Sequence, residues 1–275
     1  MPELPETETI ARDLDRTVSG ATIASVKVHR ADVLRDITAA ALSRRVAGAR
    51  IQRSYRRAKA VVILLDTNDR IVVQPRFTGA LLVDDGTLPA EALSYLTVSF
   101  SLHDGRALAY RDIRRLGTVA LMSPARFAKF DAALGPEPLD PAFTPQHLSG
   151  ILRDSRQAVK KLLMDQRRVA GVGNIYANEA LWRAGIDPSR AAHRISEAEA
   201  ASLHAGLTSV LREAIVARGT SFRDYRDASG ARGGFAGLLA AYGRGGLPCR
   251  RCGATLINTS AIDGRTTVFC ARCQR

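Results

Sequence analysis

Cysteine is absent from the first 248 positions, and four then fall between Cys249 and Cys273. That distribution excludes a framework of disulfides spread through the fold, and in an intracellular chain it argues for a bound metal. Long hydrophobic runs are missing too. The longest is Ala60–Leu65, far short of the roughly 18 residues that a membrane span requires. The opening Met-Pro-Glu-Leu-Pro-Glu is acidic and interrupted by proline, which is no signal-peptide pattern, so neither secretion nor a membrane is expected. Acids are in short supply, 27 against 40 Lys and Arg, which leaves a net charge of +13 and a pI near 10.3. Such a surplus is self-repelling unless a polyanion neutralises it, and nucleic acid is the first candidate. Lysine is scarce as well: 35 of the 40 bases are Arg. Arg suits bidentate phosphate contacts, although genome composition would produce the same bias.

What is present is a chain of 275 residues, 46% apolar. That is enough for about two domains with a buried core, and it excludes disorder. Residues 5–18 predict a short helix, with Pro5 near its first position, where the missing N–H costs nothing, and Gly20 as its stop. From about residue 21 the pattern turns to short β-rich runs at 22–28, 50–55, 60–66, 70–74, 80–83, 95–102, 107–110 and 118–122. Turn signals such as Asn68-Asp69 and Asp104-Gly105 separate them, which suggests a sandwich or barrel. Three prolines in Gly135-Pro-Glu-Pro-Leu-Asp-Pro141 predict a semi-rigid linker. Helical periodicity follows at 145–163, 174–184 and 197–217, the last with a Ser196/Glu199 capping box and an apolar stripe through Leu203, Leu207, Val210, Leu211 and Ile215. Seven glycines lie between Gly230 and Gly246, which suits either a mobile loop or a linker to the cysteine module.

The spacing Cys249-x-x-Cys252, seventeen residues, Cys270-x-x-Cys273 is that of a four-cysteine zinc site. Each pair brings two thiolates to one tetrahedral ion, and four protein ligands leave no open position, so the zinc is structural and numbers one. Between Arg244 and Arg275 there are six Arg and a single acid, Asp263. A finger so charged suits a DNA backbone, or is simply a solvated surface. At the other end, loss of Met1 would leave Pro2 with a free secondary amine. An α-amino group titrates near about 8 and is a usable nucleophile at neutral pH, and Glu3 beside it can move protons. Taken alone, Met-Pro at a terminus usually signifies nothing of the kind.

Together the blocks carry more. Pro2-Glu-Leu-Pro-Glu6, Arg56-Arg-Ala-Lys59, Asp112-x-Arg-Arg115, Leu134-Gly-Pro-Glu-Pro-Leu139, Leu163-Met-Asp165, Gly171-Val-Gly-Asn-Ile-Tyr-Ala177, Tyr242-Gly-Arg244 and the cysteine module follow one another along the whole chain. In that order they resemble the formamidopyrimidine-DNA glycosylases, bacterial enzymes that excise oxidised purines. Leu4 stands where the related endonuclease VIII branch has Gly, which favours the purine branch. The resemblance implies an α+β fold with an N-terminal β-sandwich over 1–134, a linker over 135–141 and a helix–two-turns–helix DNA-binding domain over 142–228. A Gly-rich lesion-recognition loop over 229–246 and a zinc finger over 247–275 would complete it.

By the same resemblance, the activity is that of a bifunctional base-excision-repair glycosylase and apurinic/apyrimidinic lyase. It would release 8-oxoguanine and formamidopyrimidine through a Pro2 Schiff base and cut the strand by β,δ-elimination. The alternatives are the same chemistry on oxidised pyrimidines or a broader lesion range, and a damage-binding protein without turnover. Pro2 is implied as nucleophile, Glu3 as general acid/base, Lys59 as the residue serving β-elimination, and Arg265 as a phosphate grip that assists δ-elimination. Arg114, Arg115, Arg156, Lys160, Asn174, Tyr242 and Tyr95 are implied as DNA contacts. Phe77, Arg114 and Leu116 stand at the wedge positions, where the family usually has Met, Arg and Phe. Gln74-Pro75-Arg76 replaces a family His-Leu-Gly, Tyr95 falls at another His position, and Gly234 replaces an aromatic. These departures put lesion range and opposite-base choice at issue and leave the reaction class intact. The implied partner is double-stranded DNA with oxidised bases or abasic sites, bound by a monomer in the bacterial cytoplasm at the nucleoid.

Overall fold

A computed structural model describes residues 2–222 and 224–275. Two compact units make up the chain: the segment up to Ala132 together with Ala217–Ala236, and Ala133–Val216 together with Gly237–Arg275.

The first unit is a β-sandwich with a helix in its core. Helix α1 (Leu4–Val18) precedes β1 (Ile23–Val28), α2 (Ala39–Val46), β2 (Ile51–Arg57), β3 (Ala60–Leu65) and β4 (Arg70–Gln74). Then come β5 (Gly79–Asp84), β6 (Leu96–Leu102), β7 (Ala107–Asp112), β8 (Thr118–Met122) and α3 (Pro124–Ala132). Two four-stranded antiparallel sheets form, in the orders β1-β6-β7-β5 and β2-β3-β4-β8. Their inner faces supply one core, with Val61, Ile63, Leu65, Ile71 and Val73 from one sheet and Leu81, Val98, Phe100, Leu108 and Tyr110 from the other. Ile10, Leu14 and Val18, spaced four apart along α1, bury the helix in the same core. The longest apolar run of the chain is β3, and it is apolar on both sides for a reason. Ala60 and Val62 face outward under the partly buried Phe127 and Phe130 of α3. A strand covered on both faces has no need of alternation.

The second unit begins with the proline-rich segment, which is not a spacer. The Gly135 amide donates to the Gln166 carbonyl at 2.8 Å, the Pro136 carbonyl accepts from Ala170 at 2.9 Å, and Pro138 is buried. Four helices follow: α4 (Pro145–Arg153), α5 (Val159–Met164), α6 (Asn174–Ala184) and α7 (Glu197–Val216). The periodicity at 145–163 predicts one helix where there are two, because α4 stops at Arg153 and α5 restarts at Val159. The Ser196/Glu199 capping box forms, with the Ser196 amide donating to Glu199 at 2.9 Å and the Glu199 amide to Ser196 Oγ at 3.3 Å. A hairpin, β9 (Ile257–Thr259) with β10 (Thr267–Phe269), closes the chain. Among the described residues, no helix is long and apolar enough to cross a membrane.

Two stretches pack differently from the expected division of the chain. Residues 217–228, expected with the helical domain, pack in the same compact unit as the sandwich, and the Gly-rich stretch 229–246 is divided between the two units after Ala236. The cause is hydrogen bonding to α1 and to the segment's own start. The Gly234 amide donates to Ala217 and that of Phe235 to Gly219, at 2.8 and 3.0 Å. Arg218 is bonded to both Asp13 of α1 and Asp227.

Candidate active site

Glu3 caps α1, with Leu4 and Pro5 in its first two positions, so the helix starts without needing the proline N–H. Both Pro2 and Glu3 are buried, Glu3 to 2% exposure. The Glu6 carboxylate accepts the Glu3 amide at 2.8 Å through one oxygen and the Thr220 amide at 2.7 Å through the other. Thr7 Oγ1 donates to the Glu3 carbonyl at 2.8 Å, and the Tyr225 phenol donates to the Glu6 carbonyl at 3.3 Å. Burial first, and the Glu6 charge second, push the Tyr225 phenol upward, so it remains a donor. Gly219 is required here. Its φ of +85° lies in the left-handed region, and a Cβ would stand 2.9 Å from Glu6 Cγ. Lys59 lies in the short β2–β3 loop, where Ala58 takes a φ of 51°. That loop is tied to α1 by Arg56 to Glu8 at 2.8 Å and by Thr7 Oγ1 to the Ala58 carbonyl at 3.5 Å. Pro2, Glu3 and Lys59 are thus served by the same first turns of one helix.

The three wedge positions occupy two loops of the sandwich. Phe77, on the β4–β5 loop, is 45% exposed, and Leu116, on the β7–β8 loop, is 41% exposed. The Arg114 guanidinium stacks over the Phe77 ring at 5.3 Å. Both loops are organised by the buried Asp112. Its Oδ1 accepts Thr78 Oγ1 at 2.5 Å and the Arg114 amide at 3.2 Å, and its Oδ2 accepts the Gly117 amide at 2.7 Å and the Tyr110 hydroxyl at 3.4 Å. Burial, then the Asp112 charge, drive the Tyr110 phenol well above its ordinary range and keep its proton in place. Tyr95 is exposed, and its carbonyl accepts the Asp112 amide at 3.1 Å. Arg115 is exposed and paired with Asp32 at 3.2 Å.

In the second unit Asn174 is the first residue of α6, not its cap, which is Gly173. Its Nδ2 donates to the Thr266 carbonyl at 3.0 Å. Arg156 and Arg265 are exposed, and Tyr242 is half-buried. The Glu179 carboxylate, itself buried, accepts the amides of Ala240, Ala241 and Tyr242 at 2.8 to 2.9 Å and so fixes the approach to the finger. Lys160 corrects an expectation. Its side chain has no exposed surface and its ammonium pairs with Asp263 at 3.1 Å, so it has no access to a phosphate. Sequence alone hides this, because nothing near Lys160 marks the acid that covers it a hundred residues on. Glu6, Asp112 and Glu179 are likewise given no role by the sequence. Only Glu6 carries a local signal, its spacing of three from the helix cap.

The four cysteine sulfurs lie within 4.8 Å of one another. A tetrahedral ion with Zn–S bonds near 2.3 Å needs sulfurs roughly 3.8 Å apart, so the donor set fits one zinc. Burial opposes ionisation of Cys249, but hydrogen bonds to its sulfur, from the Arg251 amide and the Trp182 indole N–H together with the Cys252 amide and Cys270, hold the thiol below its ordinary value. Such donors to a ligand sulfur are the usual support of a metal site.

Comparison with known proteins agrees with this geometry. Residues 1–119 match the formamidopyrimidine-DNA glycosylase N-terminal domain, 134–226 the H2TH domain of the same enzymes, and 246–275 the zinc finger found in FPG and IleRS. The formamidopyrimidine-DNA glycosylase of Roseiflexus sp. (strain RS-1) is 40% identical over 278 residues, covering all of both chains. That of Geobacillus kaustophilus is 38% identical over 278 residues, again covering all of both. Among solved structures, wild-type Lactococcus lactis Fpg in complex with DNA containing N7-benzyl-Fapy-dG superposes with a TM-score of 0.91 at 30% identity over the full length of both chains. Fpg from Thermus thermophilus gives 0.87 at 36% identity, covering 99% of this chain and 98% of that one. The sandwich with its capped N-terminal helix, the helical domain and the four-cysteine finger therefore place this chain in the formamidopyrimidine-DNA glycosylase family.

Proposed function

We propose that the chain removes oxidised purines, 8-oxoguanine and formamidopyrimidines, from double-stranded DNA and then cuts the strand, with Pro2 as nucleophile. The observation that carries the reading is the start of α1, where Glu6 and Thr7 fix Glu3 and adjoin the loop of Lys59. Once Met1 is removed, the Pro2 nitrogen is a secondary amine. Attack on C1′ of the sugar forms an N–C1′ bond as the base departs with the pair of its glycosidic bond and takes a proton. Glu3 is the proton carrier at the sugar. Opening of the ring leaves an iminium, whose charge draws electrons from the adjacent carbons. Loss of the C2′ proton and cleavage of the C3′–O bond create a C2′=C3′ double bond and release one phosphate end, with Lys59 assisting. Loss of the C4′ proton and cleavage of the C5′–O bond then release the second phosphate end, with Arg265 holding the phosphate. Water finally adds to the iminium carbon, and collapse of the carbinolamine releases the sugar fragment as an aldehyde and frees the Pro2 amine.

A base inside a duplex is out of reach, so the nucleotide must leave the stack. Phe77, Arg114 and Leu116 are the side chains proposed to fill the gap, and their exposure suits that task. Arg115, Arg156, Asn174, Tyr242 and Tyr95 are proposed as DNA contacts; Lys160 is not. One zinc held by Cys249, Cys252, Cys270 and Cys273 would stiffen the hairpin that bears Arg265 and take no part at the reacting bonds. Blocking the N-terminus with an uncleaved tag tests the scheme. Strand cleavage should vanish while binding to an abasic-site duplex persists. Cleavage that survives the tag contradicts the role of Pro2.

A further inference from the structure

The buried Lys160–Asp263 pair has no part in the chemistry above, yet every polar atom in it is engaged. Lys160 Nζ donates to both oxygens of Asp263 at 3.1 and 3.2 Å, to Thr267 Oγ1 at 2.8 Å and to the Thr266 carbonyl at 3.3 Å. The Asp263 side chain is 3% exposed. The same carboxylate accepts the Arg265 amide at 3.0 Å, and the Thr267 hydroxyl donates to the Arg265 carbonyl at 3.2 Å. Asn174 adds a tie to the adjacent Thr266 carbonyl. Arg265 is therefore held at its amide and at its carbonyl by groups that Lys160 joins, while the residue itself stays exposed.

Stability alone is a poor reason for this arrangement. Desolvating two charges cancels most of their attraction, and an apolar pair of similar volume often stabilises as well or better. What a buried ion pair supplies that an apolar pair does not is direction. Both carboxylate oxygens and three ammonium protons must be met at once, and here meeting them sets the turn that carries Arg265. We propose that Lys160 and Asp263 are positioning residues for Arg265, fixing the finger's turn against α5 so that the guanidinium is aimed at the phosphate released by δ-elimination. The inference rests on the reading of Arg265 given under Proposed function.

The informative variant is the double replacement Lys160→Met with Asp263→Leu, which removes the pair without leaving a lone buried charge. Asp263→Ala alone should act in the same direction but strands the ammonium and risks misfolding. On a duplex with a pre-formed abasic site, three quantities are read: zinc per chain, adduct trapped by borohydride, and the ratio of δ- to β-elimination ends. That ratio does not change when fewer molecules are folded, so a purely structural role leaves it alone. The double variant should keep its zinc and its trapped adduct while the δ share falls by about tenfold or more, as expected when a catalytic group is displaced by roughly 1 Å. An unchanged ratio at full zinc content overturns the proposal. Loss of zinc also overturns it, since the pair would then be supporting the finger as a whole. Absence of adduct or of δ ends in the wild-type protein would instead count against the underlying reading of Pro2 and Arg265.

Discussion

Glu6 acts entirely through its neighbours. One carboxylate oxygen holds the Glu3 amide and the other the Thr220 amide. Glu6→Gln keeps the shape but turns an NH2 toward a buried amide, which leaves a donor unsatisfied at a cost of about 1–3 kcal/mol. Urea unfolding should show a loss of that size together with slower adduct formation. Wild-type stability and rate in the variant would mean that Glu6 is not the lock described. Gly117 is a second single-residue test, because a Cβ there would stand 1.9 Å from the Tyr110 hydroxyl and 2.7 Å from the Gln74 carbonyl. Gly117→Ala should destabilise by about 1–3 kcal/mol and disturb both wedge loops, read as weaker binding to an abasic-site duplex. At this scale the sequence is informative where ligands sit in a short, regularly spaced motif, as with the four cysteines. It is silent on Lys160, because burial by a distant acid leaves no local mark.

Among the elements, the strands at 70–74 and 118–122 are legible to the residue, since both form short apolar runs between turn signals. Helices α2 and α3 are not. The first is eight residues long, with only Leu42 and Val46 buried, and the second has no fully buried residue, only Phe127 and Phe130 partly covered, so neither is long or apolar enough to stand out from the β-rich pattern around it. Helix α7 is legible from its cap and stripe, and its ion pairs set a pH dependence. Arg190 bonds Glu199, and Arg183 bonds Glu213, lowering each carboxyl to about 2. Carboxyls held below their unfolded value bind fewer protons in the fold than in the unfolded chain. Their contribution is complete above about pH 4.5 and disappears as the pH falls toward 2. Both groups are partly exposed, so the effect is modest and screened by salt. The melting temperature of the wild type should fall more steeply over that window than that of a Glu199→Gln, Glu213→Gln variant. Parallel curves would contradict the assignment.

Over the whole molecule, the surplus of +13 charges predicts affinity for DNA that collapses with ionic strength. A protein neutralising several phosphates loses about 10³-fold or more between roughly 50 and 200 mM salt. A flat response would mean that the charge is not spent on DNA. Because Arg265 rides on the zinc hairpin, Cys249→Ser should weaken DNA binding and strand cleavage together. Full cleavage by verified metal-free protein would separate the finger from the reaction. Three-part organisation is legible from the order of the motifs. The assignment of residues 217–236 to the sandwich is not, because it depends on contacts made by Glu6 and Asp13, some two hundred residues earlier.

The central claim is that the Pro2 nitrogen forms the covalent link to the sugar. Borohydride reduction during turnover of a duplex carrying 8-oxoguanine opposite cytosine tests it most directly, with the adduct mapped by peptide mass. One protein–DNA adduct is expected, located on the peptide that begins with Pro2 and absent from Pro2→Gly. An adduct mapped to Lys59 or elsewhere, or one that persists in Pro2→Gly, would contradict it.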